Sequence, residues 1–209
     1  MGSRIDKNEI LKIVTDAAKL YKSNLCYNDV LFVYKTGDEY SYIEVTFKPE
    51  NFFHLTGLNY LSHKHCAKDF LNKCSKNRIR IEEFEVKNGS YYYYKFDIII
   101  TLMNIYKNAR MIGDYNDNRV NLSVDKLTGG TCGFMGIKLI NNYKYCPVSI
   151  IKDDIRHNVN HYNSIIAILK KHYMDAYYTD VTYCKKLISI DEVVRNINLK
   201  NDIIRLNSN

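Results

Sequence analysis

Hydrophobic and polar positions alternate over Tyr40-Ser41-Tyr42-Ile43-Glu44-Val45-Thr46-Phe47, the period of a half-buried strand that Pro49 then stops. Asp29 to Lys35 reads as the strand before it, joined through Thr36-Gly37-Asp38 as a hairpin. Ahead of the hairpin, Ile10, Val14, Ala17, Ala18, Tyr21 and Leu25 recur at helical spacing, and Asp6 with Glu9 forms a cap signature, which predicts a helix over Lys7–Leu25. A second helix is expected over His63–Ser75, capped by Ser62, with Cys66, Ala67, Phe70, Leu71 and Cys74 as its stripe. Ser90–Arg110 mixes a four-tyrosine run with Ile98-Ile99-Ile100; its length and lack of breakers favour helix over Tyr94–Asn108. Beyond Met111 the pattern turns to short β-like pieces: Val120–Leu127, Thr131–Ile140, Tyr143–Ile151, Ile165–Lys171 and Tyr178–Lys185. Asn141-Asn142 is a tight-turn signal, and Ser189 with Glu192 opens a last helix.

These elements predict an α+β fold of N-terminal helices and an antiparallel sheet with local connections. No repeat or linker divides the chain, so one domain over 1–209 is expected. It would run as helix plus hairpin (1–60), helical segment (61–110), sheet (111–186) and C-terminal helix with tail (187–209).

Charged residues at 25% and an apolar share of 46% exclude wholesale disorder. No apolar run reaches bilayer-spanning length and no signal segment opens the chain, so a soluble cytoplasmic protein with no membrane partner is expected. The six cysteines are scattered without a CxxC pair and read as reduced residues. His63, His65 and Cys66 do not make a zinc site, because residues two apart on a helix diverge; neither metal nor cofactor is expected. The net charge of +7 favours a phosphate-bearing partner, although a lysine-rich composition supplies part of it for other reasons. Lys64, Lys68, Lys73 and Arg78 lie off the apolar stripe of the second helix or just past it. They form either a solvated face or a track for a nucleic-acid backbone.

Two stretches carry chemistry. In Asn51-Phe52-Phe53-His54-Leu55-Thr56-Gly57 a histidine sits among aromatic anchors at a strand end, a setting for a site or for a histidine that satisfies a loop. In Tyr145-Cys146-Pro147-Val148-Ser149-Ile150-Ile151-Lys152-Asp153-Asp154-Ile155-Arg156 a hydroxyl, an ammonium and a guanidinium can hold a phosphate. Asp153 and Asp154 can equally pair with the two cations as a surface network. The tyrosines at 91–94 can stack on bases or pack in a core.

Phe47-Lys48-x-x-Asn51-Phe52-x-His54-Leu55-Thr56-Gly57 resembles the phage-associated nuclease domains grouped with barnase, EndoU, colicin and RelE-type ribonucleases, and most closely the fourth phage group. Ile112-Gly113-Asp114-Tyr115, Asp125-Lys126-Leu127 with Cys132-Gly133-Phe134, the Tyr145–Arg156 stretch and Ile165-Ile166-Ala167-Ile168 follow in the same order, so the resemblance covers about Tyr21 to Lys186. It implies N-terminal helices with a four- or five-stranded antiparallel sheet, and metal-independent RNA cleavage by 2′-hydroxyl attack. The protein would be a toxin-like phage or mobile-element effector in a bacterial host. On that reading His54 carries protons and Lys152 supplies charge, with Ser149 and Thr56 completing the catalytic set. Arg156 and Tyr145 hold phosphate, alongside Lys64, Lys68, Lys73 and Arg78. Val148-Ser149 departs from the family's Asn-Thr, which keeps the hydroxyl and loses an amide. RNA is the expected partner, with a host or immunity protein as a further one; oligomeric state is left open. A non-catalytic RNA- or protein-binding factor on the same scaffold is the rival, distinguished by whether His54, Lys152 and Ser149 share a cleft. A nucleotide-handling enzyme lacks a glycine-rich phosphate loop.

Overall fold

A computed structural model describes residues 5–61, 66–116, 122–141 and 143–206, apart from the side chain of Ser90. Helix α1 (Lys7–Asn24) starts where Asp6 accepts from the amides of Asn8 and Glu9, as its cap signature predicts. Its stripe from Ile10 to Leu25 is buried. Strands β1 (Asn28–Thr36) and β2 (Glu39–Phe47) form the expected hairpin. A short helix, α2 (Asn51–Thr56), replaces the aperiodic stretch after Pro49, and β3 (Leu58–Tyr60) follows.

Helix α3 (Ala67–Ser75) is capped by Cys66, whose backbone amide and thiol both meet the Asp69 carboxylate at 3.3 Å. The expected Ser62 cap, with His63, Lys64 and His65, lies outside the described residues. Strand β4 (Phe84–Val86) pairs with β3. The long helix expected over Tyr94–Asn108 is two: α4 (Tyr94–Leu102) and α5 (Ile105–Asn108).

The remaining strands are β5 (Met111–Tyr115), β6 (Lys126–Gly129), β7 (Phe134–Leu139), β8 (Lys144–Ile151), β9 (Val159–His172) and β10 (Asp180–Cys184), before α6 (Ile190–Lys200). They do not form the expected four- or five-stranded antiparallel sheet. Among the described residues, seven strands close a mixed barrel in the order β1-β2-β8-β7-β6-β5-β9, with β1 returning to β9 and β10 added on β9. Two features overturn the expectation. The N-terminal hairpin is part of the barrel, joined to β8 by a short parallel pairing, Glu44 with Lys144 and Val45 with Tyr145. And β9 is 14 residues long, so it pairs with β5 through its first half and with β1 through its second. No edge is left between β1 and β9.

One large core joins the α1 stripe to Phe52, Leu55, Phe70, Phe96 and Ile99 of the following helices and to Val30, Phe32, Val45, Met135 and Ile150 of the strands. Each fully buried aliphatic or aromatic side chain here contributes roughly 1.5–3 kcal/mol. A second cluster lies under α6, where Val193 and Ile197 meet Leu31, Val33 and Leu169. Ser189 caps α6 without a side-chain hydrogen bond, and Glu192, the expected box partner, accepts from Tyr40 Oη instead of reaching back to Ser189.

Candidate active site

The site is built where α2 runs into Gly57. Asn51 starts the helix by accepting from the Lys48 amide at 2.7 Å; Phe52, Leu55 and Thr56 are buried, and His54 faces outward. Gly57 ends it at φ 71°, a conformation a side chain resists. Glycine is required there for a second reason: a Cβ would stand 2.9 Å from Tyr92 Cδ1 and 3.0 Å from Lys95 Cδ. The backbone of the His54–Gly57 turn therefore lies directly against Lys95.

Lys95 is 3% exposed, in the first turn of α4, where the helix dipole already disfavours a cation. Its ammonium donates to Ser149 Oγ at 2.9 Å and lies 5.6 and 5.9 Å from the ring centres of Tyr91 and Tyr92. No carboxylate pairs with it among the described residues. Burial, and then the charge of Lys87, pushes its pKa down to about 8. Tyr91 Oη lies 3.3 Å from the same Ser149 oxygen, and burial raises the phenol's pKa.

Lys87 follows β4; its amide donates to Gly57 O at 3.1 Å and its ammonium lies 6.0 Å from the Tyr92 ring centre. Partial burial, and then the same Lys87 charge, lowers the His54 pKa, with Glu50 opposing. One lysine thus acts on both His54 and Lys95. Two titratable groups near one lysine are thus both shifted down, the imidazole below its ordinary range and the ammonium to about 8. Ser149 reaches it through a bulge: Ser149 pairs with Gly136 and Pro147 with Ile137, so Val148 is the extra residue.

The family model described as phage-Barnase-EndoU-ColicinE5/D-RelE like nuclease4 matches residues 13–187, from within α1 to just past β10. The chain belongs to this phage nuclease family. No curated protein and no solved structure matches it. His54, Gly57, Lys87, Lys95 and Ser149 all lie inside the matched span.

Of the residues the sequence points to in this nuclease, Ser149 is hydrogen-bonded to Lys95, and His54 lies on the outward face of α2 three residues before Gly57. Thr56 is committed to the turn: its hydroxyl donates to Phe53 O at 2.8 Å and accepts from the Leu58 amide at 3.2 Å. Lys152, three residues past Ser149 and beyond the end of β8, pairs with Asp97 at 2.7 Å and lines a cavity with Ile98, Thr101 and Gly130 that neither His54 nor Ser149 lines, so the cleft expected to join the three is not found there. Arg156 forks onto Asp154, whose carboxyl it holds down at about 2. Tyr145 has Lys126, Tyr34 and Asp125 as its charged and phenolic neighbours. Lys73 pairs with Glu83 at 2.5 Å, while Lys68 and Arg78 are exposed; Lys64 lies outside the described residues.

Lys95 and Lys87 were not singled out by the sequence. The signal that could have found Lys95 is a lone ammonium inside Tyr91-Tyr92-Tyr93-Tyr94-Lys95-Phe96, where burial must give it either a partner or a task. No helix of the described chain is long and apolar enough to cross a membrane.

Proposed function

We propose that the chain is a ribonuclease that cuts RNA without a metal, using His54 and Lys95 as proton carriers and Lys87 and Ser149 to hold the phosphate. The observation that supports this is the buried Lys95 ammonium, held by a hydroxyl and two rings and lacking a carboxylate partner among the described residues.

The chemistry needs three things. A base takes the proton of the ribose 2′-hydroxyl as its oxygen attacks the adjacent phosphorus; cations stabilise the phosphorane; an acid protonates the departing 5′-oxygen, leaving a 2′,3′-cyclic phosphate. An imidazole whose pKa is lowered is neutral at pH 7 and fit to take the first proton. An ammonium titrating at about 8 is charged at pH 7, yet close enough to neutrality to give the last one. Lys87 adds a second positive charge, and Ser149 Oγ can turn its hydrogen bond toward a phosphate oxygen. On this reading the protein acts on host RNA as a phage or mobile-element effector in the bacterial cytoplasm.

The test is incubation of purified protein with total RNA in excess chelator, followed by analysis of the ends. Cyclic-phosphate ends, with His54→Ala and Lys95→Met each losing about 10²–10⁴-fold in rate, are the expected result. RNA bound and left intact by the native protein would overturn the enzyme reading in favour of a binding factor.

A further inference from the structure

We infer that the cavity beside the paired rings of Tyr27 and Tyr173 is a subsite for a base of single-stranded RNA, an inference that rests on the RNA reading of the neighbouring site. The cavity has a volume of about 300 Å³ and is lined by those two tyrosines with Lys48, Glu50 and Lys68 among others. It stands where three strand ends meet: Asn28 pairs with both Phe47 and His172, so Tyr27 and Tyr173 leave the barrel side by side. Backbone bonds fix them there, Tyr27 N donating to Phe47 O at 2.8 Å and Tyr173 N to Tyr27 O at 3.0 Å.

The two rings lie 5.7 Å apart and tilted by 32°, with the His172 ring 4.8 Å from that of Tyr173. Tyr27 is 40% exposed and Tyr173 44%, so the aromatic surface faces solvent rather than the core. Tyr27 also has φ 64°. A side chain resists that conformation, and glycine would be unstrained just past the end of α1. Strain of this kind concentrates where a side chain serves a ligand.

Lys48 and Lys68 are exposed at the rim, and neither is ion-paired among the described residues. They suit the sugar-phosphate backbone, while the rings suit a base, whose π-face stacks on aromatic side chains whatever its sequence. Glu50 disfavours a phosphate at its own position, so the base faces it and the phosphates run along the lysines. Continuity with the cleavage site is electrostatic as well as structural. Glu50 lines the cavity, and its charge acts on His54, four residues along the same segment.

The probe is a fluorescein-labelled adenylate oligonucleotide bearing 2′-O-methyl riboses, which cannot undergo 2′-hydroxyl attack, read by anisotropy. Tyr27→Gly and Tyr173→Ala are each expected to weaken binding about 5- to 100-fold. Tyr27→Phe should keep the native affinity. Tyr27→Gly removes the ring and relieves the strain, so its melting temperature should equal or exceed that of the native protein, and lost binding is then not lost folding. An abasic oligonucleotide should bind native protein and Tyr27→Gly alike. Native affinity in Tyr27→Gly and Tyr173→Ala, or no binding of the probe at all, would overturn the subsite. Binding that depends on the rings in a protein that cuts no RNA would keep the subsite and refute only the ribonuclease reading.

Discussion

The ammonium of Lys95 and the hydroxyl of Ser149 meet at 2.9 Å across the contact of α4 with β8, inside the protein and with no carboxylate among the described residues to balance the charge. Such a charge is costly to keep. In the folded state Lys95 titrates at about 8 and in the unfolded chain near 10.5. Between those values the unfolded state binds more protons, so this group makes stability rise with pH through that window; below pH 8 its full cost is present. That difference corresponds to roughly 3 kcal/mol. Lys95→Met should therefore be more stable than the native protein at pH 7, by about 1–3 kcal/mol, with the gain vanishing toward pH 10.5. Denaturant unfolding of both proteins across pH checks it. A variant that is more stable and inactive separates a functional lysine from a structural one. A destabilised Lys95→Met would mean that the ammonium holds the fold together.

Gly57→Ala tests how closely the turn after His54 is fitted to Lys95. The substitution meets a left-handed φ of 71° and places a methyl 2.9 Å from Tyr92 and 3.0 Å from Lys95. The conformation alone costs about 1–2 kcal/mol. The lysine contact is with a flexible side chain, which yields by moving Lys95 off Ser149. We expect a stability loss of that size in thermal or denaturant unfolding, with cleavage falling further than stability explains. A variant as stable and as active as the native protein would show that the approach is loose.

How much of this was legible beforehand divides along physical lines. Local signals held: Asp6 caps α1, the Ile10–Leu25 stripe is buried, and Thr36–Asp38 turns the first hairpin. The barrel was not legible, because closure depends on pairings between distant residues. Asn160 to Ser164 are polar, so only the apolar second half of β9 reads as a strand, although the first half pairs with β5. Of the candidate residues, His54 and Ser149 were singled out because motifs surround them. Lys95 was not, because an apolar periodicity treats a lone lysine as an interruption. Lys152 was favoured by its proximity in sequence to Ser149, yet beyond β8 its ammonium goes to Asp97.

The β2–β8 junction closes the barrel through two residue pairs only, and a polar network reinforces it. Lys144 lies 2.9 Å from Asp29 and 2.5 Å from Glu44; Thr46 donates to Asp29 at 2.7 Å and Tyr178 to Glu44 at 2.7 Å. The Asp29 side chain is fully buried. Lys144→Met leaves that carboxylate without its cation, a change worth about 3–5 kcal/mol of lost stability. Replacing Asp29 with Asn in the same protein should recover part of the loss, because the uncompensated charge is gone. Equal losses in the single and double variants, measured by denaturant unfolding, would show that packing and not charge sets the cost.

Lys87 offers a test of the electrostatic link between the two proposed proton carriers. Its charge lowers the pKa of both His54 and Lys95, in each case second to burial. If His54 must be neutral and Lys95 charged for cleavage, activity rises through the His54 pKa and falls through the Lys95 pKa near 8, a bell with its plateau around neutrality. Lys87→Gln removes a positive charge that disfavours protonation of both groups. Both limbs should then move to higher pH, while the burial contribution remains. The rate at the optimum should also fall, because one cation fewer faces the phosphate. A purely structural role for Lys87 would lower the amount of folded protein and leave both limbs in place. A pH profile of cleavage per folded molecule, native against Lys87→Gln, decides between them: limbs that stay fixed would break the link between Lys87 and the proton carriers.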